Sequence, residues 1–351
     1  MTAWLAGGAA ALLVVALVAA GCRAFAAPPW RGPRTDHFDG RHFHNESGAA
    51  LHADFGSFLR WRFTRELGPW HGEPHAAPGP PPPRAVTGGA LRVTFVGHAT
   101  VLLQMDGVNV LTDPVWSARV SPVPFAGPRR VRPPGLRFED LPPIHAVLLS
   151  HNHYDHMDVA TLRRLARDHH PRFFTALGNA AFLAAKGIGP VEELDWWGAA
   201  AAPVAGLTVT AVPAQHFSNR SVGDRDVTLW CGFVLRGAAG AVYFAGDTGF
   251  GPHFAEIRAR LGAPRLALLP IGAYRPRWFM GPIHVSPEEA VMAHHALGAG
   301  TSVAVHFGTF VLADDGETEP VEDLDRYLAT APAPVRPRFW VLGFGEGRDV
   351  P

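Results

Sequence analysis

The stretch LLSHNHYDHMD, residues 148–158, contains three histidines and two aspartates directly after a run of apolar residues. In an extended loop, residues two apart point to the same side. His151 and His153 can therefore bind one metal ion while Asp155 and His156 face a second ion about 3.5–4 Å away. Imidazole and carboxylate ligands without thiolates suit zinc, and they also accept iron or manganese. This spacing predicts a metal site on a loop.

Three more residues of ligand type each follow a β-type run. His216 follows LTVTAVPAQ, Asp247 follows AVYFAG, and His306 follows SVAV. Because strand ends deliver loops to one edge of a sheet, we expect these side chains to meet the 151–156 loop. The five histidines and two aspartates would form a binuclear site. Such a site suits hydrolysis, because two divalent metals lower the pKa of water toward about 7.

The elements that must position these residues come in consecutive groups of strands, each followed by helices. The first group includes LRVTFVGHATVLLQMDGVNVLTD, where Asp106-Gly107 is a hairpin signal, and the second runs from LTVTAVPAQH to AVYFAGDTG. Helical spacing occurs in VATLRRLARDH, GPHFAEIRARLG, SPEEAVMAHHALG and VEDLDRYLAT, and Asp158 is placed to cap the first of these helices. This order favours an α/β (α+β) fold of packed sheets covered by helices over a doubly wound parallel sheet.

A weak internal repeat relates the two groups of strands. Both contain a strand, a histidine, hairpin strands and then an aspartate after an apolar run, so His98 corresponds to His216 and Asp113 to Asp247. We expect His98 and Asp113 to make structural hydrogen bonds rather than to bind metal.

The N-terminal part of the chain has a different character. Residues 3–20, AWLAGGAAALLVVALVAA, contain no charge, which is typical of a signal-peptide core or a membrane helix. Cys22 resembles the lipidated residue of a bacterial lipoprotein, and an uncleaved helical anchor is the alternative. We interpret residues 1–22 as this signal or anchor segment, which would associate the protein with a membrane of the bacterial envelope. Residues 23–89 are interpreted as an irregular extension with a proline-rich linker, and residues 90–351 as the catalytic domain.

The composition excludes several partners. Lys plus Arg and Asp plus Glu both number 31, so no basic field exists for nucleic acid, and we expect no nucleic-acid partner. Cys22 and Cys231 are the two cysteines, which excludes a disulfide framework and a thiolate metal cage. The sequence gives no indication of an oligomeric state.

These motifs also carry a family resemblance. SHNHYDHMD resembles the metal-binding motif of the metallo-β-lactamase fold, a four-layer αββα sandwich of two similar halves. Further motifs between Gly97 and Phe310 resemble the branch that contains N-acyl-phosphatidylethanolamine-hydrolysing phospholipase D: GHATVLLQMDGVNVLTDPVW, SPVPFAGPRRVRPPG, PAQHFS, FAGDTGF, PIGAYRPRWFM, HVSPEEA and AVHFGTF. The segment HFDGRHFHN, which includes Phe38, resembles the N-terminal segment of that branch.

The resemblance implies a site with two Zn²⁺ ions, with iron or manganese as alternatives. The ligands implied for the first metal are His151, His153 and His216. Those implied for the second metal are Asp155, His156 and His306. Asp247 would bridge the two metals. The catalytic residues that we expect are Asp155, Asp247 and His284. The implied activity is hydrolysis of a membrane phospholipid, N-acyl-phosphatidylethanolamine, to N-acylethanolamine and phosphatidic acid. A lactonase or other ester hydrolase with the same site, and a non-catalytic membrane-tethered metal-binding protein, are the alternatives.

His284 lies just before a predicted helix start. In IHVSPEEA, Ser286 is suited to the N-cap and Pro287 to the first helical position, and Glu289 completes a capping box. The N–H groups at such a helix end favour an anion such as phosphate. In the branch that the chain resembles, the corresponding histidine contacts the substrate phosphate and is not a metal ligand. We therefore expect His284 to bind the substrate.

A second set of residues is predicted to contact the rest of the substrate. The run Trp278, Phe279 and Met280 can line an acyl-chain groove, and ordinary loop packing is the alternative. Tyr154, inside the metal loop, is expected to pack at the site rather than to react.

Overall fold

Two mixed β-sheets form the framework of the protein in the computed structural model, which describes residues 25–46, 55–202, 206–330 and 336–351. Within these residues each sheet has seven strands. The predicted anchor segment, with Cys22, lies outside the described residues. Among the helices of the described part, none is long and apolar enough to span a bilayer.

The first sheet is built from the N-terminal strands and the last strand of the chain. Its members are β1 (Leu91–Gly97), β2 (Thr100–Met105), β3 (Val108–Thr112), β4 (Ala146–Leu149), β5 (Arg172–Ala176), β6 (Val191–Leu194) and β14 (Gly347–Val350). Their spatial order is β14-β1-β2-β3-β4-β5-β6. Asp106 and Gly107 connect β2 and β3 with φ of 52° and 78°, as the predicted hairpin turn requires.

The second sheet is continuous in sequence. Its members are β7 (Ala199–Ala201), β8 (Thr208–Val212), β9 (Gly232–Gly237), β10 (Gly240–Phe244), β11 (Leu266–Pro270), β12 (Thr301–Val305) and β13 (Phe339–Trp340). Their spatial order is β13-β12-β11-β10-β9-β8-β7.

The two sheets repeat one pairing pattern. The strands β1, β2 and β3 pair antiparallel and continue in parallel through β4, β5 and β6. The strands β8, β9 and β10 pair antiparallel and continue in parallel through β11, β12 and β13. Each pattern is completed by one antiparallel edge strand, β14 beside β1 and β7 beside β8. The fold therefore consists of two similar halves, as predicted from the internal repeat.

Helices flank the sheets. They are α1 (Phe55–Thr64), a short 3₁₀ helix (Phe138–Asp140), α2 (Val159–Asp168), α3 (Ala180–Ala185), α4 (His253–Leu261), α5 (Arg277–Met280), α6 (Pro287–Leu297) and α7 (Glu319–Thr330). As expected, the Asp158 side chain caps α2 by accepting a hydrogen bond of 3.1 Å from the backbone N–H of Ala160.

Apolar side chains fill the spaces between these layers. The main core joins residues of both sheets, for example Phe95 and Phe174 of the first with Phe233 and Leu268 of the second. A second cluster lies on the other side of the first sheet, where α2 and α3 pack. The result is the α/β sandwich that the order of elements predicted.

The N-terminal extension is more ordered than the sequence analysis expected. FGSFLRWRF, interpreted as irregular, forms most of α1 because Trp61 buries one side of it against the domain. Phe38 and Phe43 belong to the main core. The proline-rich stretch packs along the first sheet and is not a free linker, since Gln104 donates to the Pro83 carbonyl at 2.7 Å and Asn109 to the Arg84 carbonyl at 3.0 Å.

Candidate metal centre

The predicted ligands lie where strands of both sheets end. The loop with His151 follows β4, and His306 directly follows β12. His216 lies four residues beyond the end of β8, and Asp247 three residues beyond the end of β10. Loops from both halves therefore meet at one edge of the sandwich, as the positions of the residues in the sequence predicted.

The first group consists of His151, His153 and His216. Nδ1 of His153 lies 2.8 Å from Nε2 of His151 and 3.3 Å from Nε2 of His216. Three ring nitrogens thus converge on one point.

Neighbouring groups fix which of these nitrogens carry protons. His216 donates from Nδ1 to the carbonyl of Ile283 at 3.0 Å, so its Nε2 presents a lone pair. The hydroxyl of Ser150 donates to Asp113 at 2.5 Å and accepts from Nδ1 of His151 at 2.9 Å. Nε2 of His151 is then also a lone pair. A cation shared by the three ring nitrogens would satisfy both of these lone pairs.

The second group consists of Asp155, His156 and His306, with His98 beside them. Oδ2 of Asp155 lies 3.4 Å from Nε2 of His156 and 3.6 Å from Nε2 of His306. His98 contacts the same oxygen through Nε2 at 3.0 Å, and its backbone carbonyl accepts the N–H of His306 at 2.8 Å. His98 therefore supports this group from the first half of the fold.

Asp247 lies between the two groups. Its Oδ2 is 3.2 Å from Nε2 of His156, 3.1 Å from Nε2 of His306 and 3.8 Å from Nε2 of His216. The side chain is buried, and Oδ1 has no hydrogen-bond partner among the described residues. One carboxylate can thus reach ligands of both groups, as a bridging ligand must.

Burial and the carboxylates together set the charge of these side chains. Burial disfavours imidazolium and lowers the pKa of His153 to about 4 and that of His216 to about 3. Burial also disfavours the charged form of His306, but the Asp247 and Asp155 carboxylates outweigh burial and raise the pKa of His306 to about 9. The pKa of His156 is likewise raised well above its ordinary value despite burial, chiefly by Asp247. The carboxylates thus favour positive charge in the second group, which a divalent cation would supply in place of protons.

Unpaired buried atoms test whether metals fit this site. Within the described residues, the following have no hydrogen-bond partner: Nε2 of His156, Oδ1 of Asp247, Nδ1 of His284 and both ring nitrogens of His306. An unpaired buried polar atom costs about 1–3 kcal/mol, and a metal ligand bond removes that cost for a lone pair. The residues present fit two divalent cations, one in each group.

The backbone at the site is unusual. His98, Asp113 and His306 adopt φ of 55°, 31° and 62°, in the left-handed region that non-glycine residues rarely occupy. Such strain persists where surrounding contacts fix the conformation, and it clusters at functional sites. Each of these residues stands directly after a strand, so the turn redirects its side chain toward the sheet edge.

Asp113 has the structural role that the sequence analysis expected. Its carboxylate accepts the N–H of Ser150 at 2.8 Å and contacts Nδ1 of His156 at 2.6 Å. It is fully buried behind the ligand loop and orients His156.

His284 lies beside the first group. Its Nδ1 is 3.9 Å from Oδ2 of Asp247, close enough that His216, Asp247 and His284 could themselves hold an ion. Burial lowers the pKa of His284 to about 3, so the ring is neutral at pH 7 and offers a hydrogen-bond donor rather than a charge.

The helix start after His284 has the predicted capping box. Ser286 and Glu289 cap each other, and the Glu289 carboxylate accepts the N–H of Ser286 at 2.9 Å. The same carboxylate pairs with Arg277 at 2.7 Å. A carboxylate of the protein therefore lies at this helix end, and contact of His284 with a phosphate stays a prediction.

The residues predicted to contact the substrate differ in exposure and packing. Met280 is buried, Phe279 stacks on Trp61 at 5.2 Å, and Trp278 is half exposed on α5. Tyr154 packs against the Arg220 guanidinium at 4.0 Å. Contact with a substrate stays a prediction for all of these residues.

Two supporting residues were not found from the sequence. Arg220 is buried and donates from Nη1 to the carbonyls of Asn152 at 2.7 Å and Met157 at 3.1 Å, which fixes both ends of the ligand loop. Asn45 pairs with the backbone of His216 through two hydrogen bonds of 3.0 Å. Neither stands in a ligand pattern, although Asn45 ends the N-terminal motif HFDGRHFHN.

The chain is similar to several known proteins. Residues 108–307 match the family described as Beta-lactamase superfamily domain. An uncharacterized protein of Mycobacterium tuberculosis is 45% identical over 246 residues, 69% of this chain and 64% of that protein. N-acyl-phosphatidylethanolamine-hydrolyzing phospholipase D 1 of Caenorhabditis elegans is 41% identical over 238 residues, 65% of this chain and 66% of that enzyme. The chain thus spans slightly less than two thirds of the length of these relatives.

A solved structure is also similar. Igni18, a metallo hydrolase from the archaeon Ignicoccus hospitalis, superposes with a TM-score of 0.56 at 25% identity, covering 74% of this chain and 98% of Igni18.

Proposed function

We propose that the chain, which belongs to the β-lactamase superfamily and is a metal-dependent hydrolase, is a di-metal phosphodiesterase that acts on a membrane phospholipid. The reaction is phospholipase D-type cleavage of N-acyl-phosphatidylethanolamine, which yields N-acylethanolamine and phosphatidic acid. The metals are two zinc ions, and the same ligand types accept iron or manganese.

The position of Asp247 carries this proposal. Its Oδ2 lies within 3.2 Å of the second group and 3.8 Å of the first, so one carboxylate serves both. Paired metals with a shared ligand are typical of enzymes that cleave phosphodiesters. The 41% identity to the C. elegans phospholipase D supports the choice of substrate.

In this reaction the metals and the side chains have different roles. When bound, two divalent metals lower the pKa of water and offset the negative charge of the phosphate. Water oxygen forms a bond to phosphorus, the bond from phosphorus to the ethanolamine oxygen breaks, and that oxygen takes up a proton. His284, with Nδ1 buried and unpaired among the described residues, binds the phosphate or passes this proton. Asp155 and Asp247 would hold the metals in place.

A substrate panel tests the proposal. Zinc-loaded full-length protein is incubated with N-acyl-phosphatidylethanolamine in detergent micelles, and the products are identified by mass spectrometry. Bis(p-nitrophenyl) phosphate, a lactone and a carboxylic ester are assayed in parallel. We expect N-acylethanolamine and phosphatidic acid, with turnover of the soluble phosphodiester. Hydrolysis of the lactone or ester without phosphodiester turnover would replace the proposal with the ester-hydrolase alternative.

Asp247→Asn is the matched inactive variant. We expect it to lower the metal content and remove most of the activity, because the amide is a weaker ligand and lacks the negative charge. A variant that keeps two metals and normal turnover would overturn the assignment of the site.

A further inference from the structure

An exposed aromatic and basic surface lies beside the site. Of the large hydrophobic side chains that are exposed in the described part of the chain, four lie on or next to α1 and α5: Phe58, Phe63, Leu67 and Trp278. We call these residues, together with Arg60 and Arg62, the α1–α5 surface. Single exposed apolar residues are normal, but a group of aromatic residues marks an interaction site.

One side of α1 packs against the domain. Trp61 is buried, stacks on Phe279 at 5.2 Å and donates from Nε1 to Asp314 at 3.1 Å. Arg65 reaches the same carboxylate at 3.0 Å. These contacts fix the helix on the domain, so its remaining residues are presented at a defined position.

The other side of α1 also carries apolar residues. Leu59 and Phe63 are four residues apart and share one side of the helix, away from Trp61. Phe63 is 82% exposed. The domain covers one apolar side of the helix, and the exposed Phe63 ring suits a second apolar environment.

The charge of this surface identifies that environment. The ten residues of α1 include Arg60 and Arg62 and no acidic residue. The Arg60 guanidinium lies 4.7 Å from the Trp278 ring, so basic and aromatic groups are interleaved. Aromatic side chains between arginines suit the headgroup level of a bilayer that contains anionic lipid.

The surface is also connected to the metal centre. Trp61, Met280 and Ile283 pack in one small cluster with Phe217 and Phe279 at its edge. The Phe217 ring lies 4.5 Å from the His153 ring. The Ile283 carbonyl is the group that orients His216. A bilayer bound at α1 and α5 would therefore be adjacent to the ligands.

We infer that the α1–α5 surface docks the protein on an anionic phospholipid bilayer. Phe58, Phe63 and Trp278 enter the headgroup region, and Arg60 and Arg62 pair with lipid phosphates. This inference rests on the proposed function, because it places the site at the surface that holds a phospholipid substrate.

A pair of variants tests the docking surface. Phe63→Ser changes a side chain that is 82% exposed, and Phe125→Ser is the matched control, since Phe125 is 80% exposed on the loop after β3. Both are assayed in the full-length protein on substrate in phosphatidylcholine–phosphatidylglycerol vesicles and on soluble bis(p-nitrophenyl) phosphate. We expect Phe63→Ser to lower vesicle turnover by roughly tenfold or more, the effect of one lost phenyl ring in an apolar environment, with soluble turnover unchanged. Equal losses in both variants would overturn the assignment.

A second measurement does not depend on catalysis. Amide hydrogen exchange of residues 55–67 is followed in the full-length protein with and without vesicles. We expect phosphatidylglycerol-containing vesicles to slow it more than pure phosphatidylcholine does, and Arg62→Glu to remove that difference. Absence of protection by vesicles would overturn the inference, and protection that grows with protein concentration without lipid would assign the surface to a second copy of the chain. If protection occurs but no phosphodiester is cleaved, the proposed function fails and the docking surface stands.

Discussion

Oδ2 of Asp113 lies 2.6 Å from Nδ1 of His156, and both side chains are completely buried. Asp113 occupies the position in the first half of the fold that Asp247 occupies in the second. It orients a ligand instead of serving as one, because a hydrogen bond at Nδ1 leaves Nε2 of His156 to face the site. The two corresponding aspartates thus have different roles: Asp247 faces both ligand groups, and Asp113 orients one ligand.

This relationship predicts the effect of Asp113→Asn. The variant keeps the shape of the side chain and loses the charge that holds the His156 ring, so we expect affinity for the second metal to fall about 10- to 100-fold. Metal content after dialysis against graded chelator concentrations measures it. The exposed Asp349→Asn is the control. Unchanged retention of both metals in Asp113→Asn would contradict a positioning role.

His284→Ala separates substrate binding from metal binding. We expect the variant to keep both metals and to lose phosphodiester turnover by about 10²-fold or more, the scale for a lost group that stabilises charge or transfers a proton. His295→Ala, an exposed position on α6, is the control. Metal analysis and turnover of bis(p-nitrophenyl) phosphate are measured on both variants. Lost metal would make His284 a ligand, as its distance of 3.9 Å from Asp247 allows, and unchanged turnover would remove it from the site.

The sequence was sufficient to predict which ligand-type residues come together. His151, His216 and His306 each follow an apolar run. A polar residue that follows a buried strand lies at the edge of the sheet, because the strand ends there. The turn at Asp106-Gly107 and the Asp158 cap were predictable for a similar reason, since both depend on residues close in sequence.

The supporting contacts were not predictable, because they join segments far apart in the chain. Asn45 pairs with a residue 171 positions away, and Arg220 reaches a carbonyl 68 positions away. The helix α1 was missed because its aromatic residues lie on both sides and give no clear period. Trp61 becomes buried through residues far along the chain, such as Asp314, 253 positions away. Glu289 was recognised as a cap, but its pairing with Arg277 was not.

The pH dependence of stability tests a buried histidine that is not a predicted ligand. His253 begins α4, is 4% exposed, and contacts the Thr248 hydroxyl through Nε2 at 3.2 Å. Burial lowers its pKa from 6.5 to about 3, so the folded protein keeps it neutral while the unfolded chain takes up a proton below pH 6.5. The stability associated with the neutral, buried His253 ring is therefore fully present above about pH 6.5, and it is lost as the pH falls toward 3.

Urea unfolding of the wild type and His253→Gln at about pH 7.5 and about pH 5.5 measures this contribution. Glutamine does not titrate, so the free energy of unfolding of the wild type should fall by about 1.4 kcal/mol more than that of the variant across this interval. Both proteins retain the same metal-site histidines, and the difference between them isolates His253. An equal fall in the free energy of unfolding of the two proteins would mean that the His253 ring is protonated in the folded state at pH 5.5. Burial at the start of α4 would then not exclude the proton.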